Sequence, residues 1–133
     1  MKLLDTTFLI HYWGGREATK THLEAHEDAE FITTTLNLKE IAVGLSLQGN
    51  LDRHQLLSTF EWVEIVPFQI DHAVVAGELE AALQRDDAIN QDKINALAGD
   101  LLIAAVAKDT GATVATENVT DFELFDGVSV EGY

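Results

Sequence analysis

GDLLIAAVAKDTGATVATEN, residues 99–118, decides how this chain folds. Asp100 opens a strongly apolar helix that runs to Asp109, and the wholly apolar face from Leu101 to Ala107 reads as core. Gly111 supplies the left-handed stop that commonly ends a helix. ATVAT, residues 112–116, follows as a strand.

The same alternation extends outward in both directions. KLLDT, residues 2–6, reads as a first strand, followed by a short helical run to Tyr12 and Trp13 and a break at Gly14-Gly15. Residues 16–28 are polar and helical. FITT, residues 31–34, is aromatic and β-branched, so a second strand. Residues 36–47 and 51–60 carry apolar positions at helical spacing. WVEIVPF, residues 62–68, alternates as a third strand, and residues 71–86 are helical with Ile70, Val74, Gly77 and Ala81 sharing one face. Residues 112–116 make the fourth strand, residues 121–125 one turn, and VSVEG, residues 128–132, a final edge strand. Strands alternating with helices predict a mainly parallel sheet covered on both faces. In such a sheet the strand ends and helix starts gather on one edge, where ligands bind.

Four carboxylates fall on that edge. Asp5 closes the first strand, Glu40 lies near the start of the helix after the second, Asp100 opens the helix feeding the fourth, and Asp121 follows the fourth by a few residues. Each has an ordinary structural reading. Asn37-Leu38-Lys39-Glu40 fits a capping box in which Glu40 reaches back to a backbone donor. Asp100 fits an N-cap or a first-turn acid favoured by the helix dipole, and Asp121 fits first-turn decoration. Asp5 is different, because strands seldom tolerate Asp and a buried unpaired carboxylate is costly. Together, four acids at one edge repel one another, and a divalent cation relieves the repulsion. Hard oxygen ligands select Mg²⁺ or Mn²⁺.

Bulk properties narrow the field. A chain of 133 residues is expected to form one domain, residues 1–133, burying roughly two-thirds of its unfolded surface. It has no cysteine, so disulfides and thiol chemistry are excluded and a reducing compartment is the natural setting. Asp5 interrupts the first apolar run before it could form a signal core, and residues 101–107 fall far short of the roughly 18 a membrane helix needs. The expected location is the cytoplasm, with no membrane association. Twenty-three acids against eight Lys and Arg give a formal charge of −15, spread along the chain. Such a surface repels nucleic acid in dilute buffer. Its composition resembles that of proteins from salt-loving archaea; a basic partner protein is the other explanation.

MKLLDTTFLI, TTTLNLKEIAVG, GDLLIAAVAKDTGATVATEN and NVTDF, taken in that order, resemble the PIN domain, most closely the VapC-type toxins, which are ribonucleases of type II toxin–antitoxin pairs. The resemblance spans nearly the whole chain and is most specific in its last third. It implies an α/β fold with a parallel sheet of order 3-2-1-4-5 and helices on both faces. It implies a catalytic metal site of Asp5, Glu40, Asp100 and Asp121, supported by Thr6, Thr116 and Asn118. It also implies Mg²⁺ as cofactor with Mn²⁺ able to substitute, RNA as substrate, a VapB-type antitoxin as partner, and a homodimer. Glu117 departs from the family, which often carries a basic residue between the Thr and the Asn, so a direct phosphate contact is weakened there.

Other signals are weaker. His22 and His26 stand one helical turn apart, but HLEAH does not meet HExxH, and on so polar a helix both are expected to be solvated. His11, His54 and His72 are scattered without an obvious nucleophile, which disfavours a histidine-driven, cyclic-phosphate ribonuclease. Neither GxxxxGK[ST] nor GxGxxG occurs. Tyr12, Trp13, Trp62 and Phe68 are expected in core or interface. The competing functional readings are a non-catalytic PIN-type module binding RNA or protein, and a Mg²⁺-dependent phosphatase or DNA nuclease of the same fold.

Overall fold

A computed structural model describes residues 1–133. Five strands form one sheet: β1 (Lys2–Leu4), β2 (Phe31–Thr34), β3 (Glu64–Val66), β4 (Thr113–Ala115) and β5 (Ser129–Glu131). Their order is β3-β2-β1-β4-β5, and every neighbouring pair is parallel. This is the predicted architecture.

Alternation along the central strands builds a core on each face of the sheet. Leu3, Ile32 and Val114 point to one side, where they pack with α5 (Ile70–Arg85), α6 (Gln91–Ala96), α7 (Ala98–Thr110) and α8 (Val119–Phe122). Leu4 and Ala115 point to the other, against Phe8 and Leu9 of α1 (Thr6–Trp13), Ile41 of α3 (Thr35–Leu47) and Leu56 of α4 (Arg53–Thr59). Leu23 of α2 (Glu17–Ala25) covers the same side. Burying a side chain of this size contributes about 1.5–3 kcal/mol, so the central strands are fixed from both directions. Gly111 ends α7 at φ 75°, and the Ala112 N–H returns to the Ala107 carbonyl, turning the chain directly into β4.

Three local expectations change. α6 was not foreseen; Asn90 caps it through the Lys93 N–H, and Leu97 joins it to α7. The Ile70 and Val74 face of α5 is exposed, whereas His72, Ala76, Leu79 and Leu83 face the core. His22 is buried, not solvated: Phe8 packs edge-on against its ring and its Nε2 lies 2.6 Å from Glu131 Oε2. No helix is long and apolar enough to cross a membrane.

Candidate active site

Asp5 sits in the one-residue joint between β1 and α1, only 3% exposed. Its N–H still completes the sheet by donating to the Ala115 carbonyl, so the backbone cannot turn the carboxylate away. The Thr116 hydroxyl donates to Oδ2 at 2.8 Å, and Asn37 Nδ2 lies 3.3 Å from Oδ1. Burial nevertheless dominates these hydrogen bonds and raises the carboxyl above the ordinary Asp range.

Asn37, read from the sequence only as a helix cap, organises this corner. The capping box of α3 is formed by Thr34 and Asn37, not by Asn37 and Glu40. Asn37 Oδ1 accepts from the Thr34 N–H and hydroxyl, while Nδ2 donates to Thr6 Oγ1 at 2.9 Å as well as to Asp5. A helix cap is thereby used to orient a carboxylate. Glu40, released from capping, stands on the exposed rim; partial burial of its carboxyl and then the charge of Asp5 push it up.

Asp100 lies in the first turn of α7 and is not its N-cap, a place taken by Leu97. Burial, followed by the charges of Asp5, Glu40 and Asp121, raises it to about 6. All three other predicted acids therefore act on Asp100, and Lys93 is the one neighbour that opposes them. Lys93, on the unforeseen α6, binds Asp121 at 2.8 Å. The structure thus brings the four acids into one electrostatic neighbourhood. They do not close tightly: the group of three His, Asp or Glu residues whose ligand atoms come within 4.8 Å of one another is His22, His26 and Glu131, elsewhere in the fold.

Thr116 and Asn118 occupy the supporting places in unequal ways. The Thr116 hydroxyl accepts from the Asn118 N–H at 2.9 Å while donating to Asp5, so Asn118 acts through its backbone. Glu117, between them, pairs with Arg16 at 2.7 Å. Arg16 follows the Gly14-Gly15 break by one residue, and only its tertiary position reveals that it neutralises the acid where a base was expected. Beside Glu40, an open cleft lies between α1 and α3, lined by Ile10, Trp13, Ile41 and Leu45.

Residues 2–127 match the PIN domain family. The chain belongs to that family, and its five-stranded parallel sheet of order 3-2-1-4-5 agrees with it. Similar solved structures include VapBC2 from Rickettsia felis bound to a DNA fragment from its promoter, at 21% identity and TM-score 0.79, covering 99% of this chain and 98% of that one. FitAcB from Neisseria gonorrhoeae is 23% identical with TM-score 0.77, covering 98% and 96%. A toxin–antitoxin complex from Klebsiella pneumoniae is 22% identical with TM-score 0.72, covering 96% and 95%. Among curated proteins none matches this chain.

Proposed function

We propose that this PIN domain is a Mg²⁺-dependent endoribonuclease, the toxin of a type II toxin–antitoxin pair. The observation that carries the reading is Asp5, buried at the end of β1 and held by Thr116 and Asn37, in the electrostatic reach of a first-turn Asp100 raised to about 6 by burial and then by the charges of the other acids. A structural acid has no need of such neighbours. Carboxylates crowded at cost are the expected state of a cation site before its cation arrives.

Asp5 and Asp100 would hold Mg²⁺ or Mn²⁺, with Glu40 and Asp121 completing the cluster. When bound, the ion supplies Lewis-acid polarisation of a phosphodiester and a water of lowered pKa. Glu40, on the open rim, is placed to orient the attacking water. Thr116 and Asn37 keep Asp5 from rotating, and Thr6 supports Glu40 through its hydroxyl. Lys93 and Arg16 stand at the border of the site, each tied to an acid, with Lys39 beside Glu40 as a third cation, and these side chains can turn to a phosphate when RNA approaches.

Mg²⁺ binding to the native state alone stabilises by mass action, about 2.7 kcal/mol at a hundredfold excess over Kd. Thermal melts at fixed ionic strength should therefore rise by about 10 °C on adding Mg²⁺. An unchanged melt would count against a site preformed for the ion.

The surface charge of −15 gives a second expectation. Between 0.1 and 1 M salt the Debye length falls from about 10 to about 3 Å, so repulsion of RNA fades. Cleavage of a fixed RNA should rise with KCl over this range, as fits a protein adapted to concentrated salt. A steady decline would mean that cationic contacts dominate binding instead.

The neighbours in toxin–antitoxin complexes support a VapB-type antitoxin as partner. Here the apolar cleft between α1 and α3, with Ile10 and Val43 exposed beside it, offers such a segment a seat next to Glu40. A homodimer is part of the same proposal, and the exposed Ile70 and Val74 of α5 are available for it.

A further inference from the structure

Far from the four acids in chemistry, α2 and β5 present a second set of ligand-type atoms. His22 on α2 and His26, the residue that caps its C-terminal end, stand one turn apart, and Glu131 reaches them from β5. One ligand atom from each lies within 4.8 Å of the other two. His22 Nε2 is 2.6 Å and His26 Nε2 is 3.6 Å from the same oxygen, Glu131 Oε2. Ligand atoms around a tetrahedral zinc stand about 3.3 Å apart, given bonds of about 2.0–2.1 Å. The three atoms need only small side-chain adjustments to reach that arrangement.

The surrounding bonds hold the three side chains in place. His26 Nδ1 donates to the His22 carbonyl at 2.8 Å, which leaves Nε2 as the nitrogen directed at Glu131. A metal-binding imidazole is ordinarily held in this way, by its other nitrogen. Lys2 takes the opposite oxygen of Glu131, Oε1, and leaves Oε2 for the two rings. His22 Nδ1 is buried without a partner, and in the ion-free protein Nε2 donates to Glu131 Oε2, a proton that a metal ion at Nε2 would displace.

We propose that His22, His26 and Glu131 bind a borderline transition-metal ion such as Zn²⁺, tying α2 to the edge strand β5. Two imidazoles and one carboxylate select Zn²⁺, Co²⁺ or Ni²⁺ over Mg²⁺, so the ion differs in kind from that of the acidic edge. The tie reaches the acidic edge through the backbone, because the Thr116 N–H donates to the Glu131 carbonyl and the Thr116 hydroxyl holds Asp5. With three protein ligands, one position remains for water.

The test uses untagged full-length protein carrying Asp5→Asn and Asp100→Asn, which disables the acidic edge, titrated with Zn²⁺ by calorimetry and with Co²⁺ by visible absorption. One equivalent of Zn²⁺ and a tetrahedral Co²⁺ spectrum are expected. Adding His26→Ala, a half-buried position that should still fold, or Glu131→Gln should weaken Zn²⁺ binding at least about tenfold. Three results would overturn the site: no Zn²⁺ bound, binding unchanged in folded His26→Ala, or binding present in wild type and lost in the double Asn protein. Its failure leaves the ribonuclease reading intact, since Mg²⁺-dependent cleavage is measured separately.

Discussion

Asp100→Asn should abolish Mg²⁺-dependent RNA cleavage while making the metal-free protein more stable at pH 7. The two effects have opposite signs because they arise from the same charge. On the proposal that Asp100 holds the ion, its removal would forfeit several kcal/mol of transition-state stabilisation, about a thousandfold or more in rate. In the metal-free fold the same carboxylate is a burden. Burial and the charges of Asp5, Glu40 and Asp121 raise it from 3.8 to about 6. The native state thus binds this proton more tightly than the unfolded state, and stability falls as pH rises from about 4 through about 6. Asp5 and Glu40 are raised as well and act in the same direction. In EDTA the wild-type melting temperature should decline across this window, with a shallower decline in Asp100→Asn. Adding Mg²⁺ at pH 7 should recover stability in wild type and much less in the variant. A variant that cleaves normally, or that is less stable in EDTA, would show that Asp100 has a structural role only.

The second large effect belongs to Asn37. Its side chain is fully buried and meets Thr34 twice, Thr6 once and Asp5 once. Asn37→Ala leaves the Thr34 N–H and the Asp5 carboxylate short of partners in a site that water does not freely reach. The expected loss is about 2–4 kcal/mol in urea unfolding, with cleavage falling because Asp5 is no longer held. Thr34→Ala is the comparison, since an ordinary N-cap is worth about 1 kcal/mol. Were Asn37→Ala to cost no more than that and to leave cleavage intact, Asn37 would be a helix cap alone.

These residues also mark where reading the sequence stops. The parallel, two-sided sheet was legible because strands alternate with helices along the chain, and Leu3 and Leu4 do face opposite cores; the strand order came from the family resemblance. The acids were legible because strand ends and helix starts share an edge in any parallel sheet. Asn37 was visible but assigned the wrong partner: the box closes backward to Thr34, and NLKE contains an equally plausible pattern pointing forward. α6 is six residues long, too short for apolar periodicity to register, and Lys93 was lost with it. Arg16 with Glu117, and His22 with Glu131, join residues about a hundred positions apart, and no local pattern encodes such pairs.

The most direct test of the central claim is the chemistry of the ends left on a cleaved RNA at high salt with Mg²⁺. The resemblance to the family implies hydrolysis that would leave a 5′-phosphate and a 3′-hydroxyl, and EDTA or Asp5→Asn should remove the products. A 2′,3′-cyclic phosphate, or unchanged cleavage by Asp5→Asn, would contradict it.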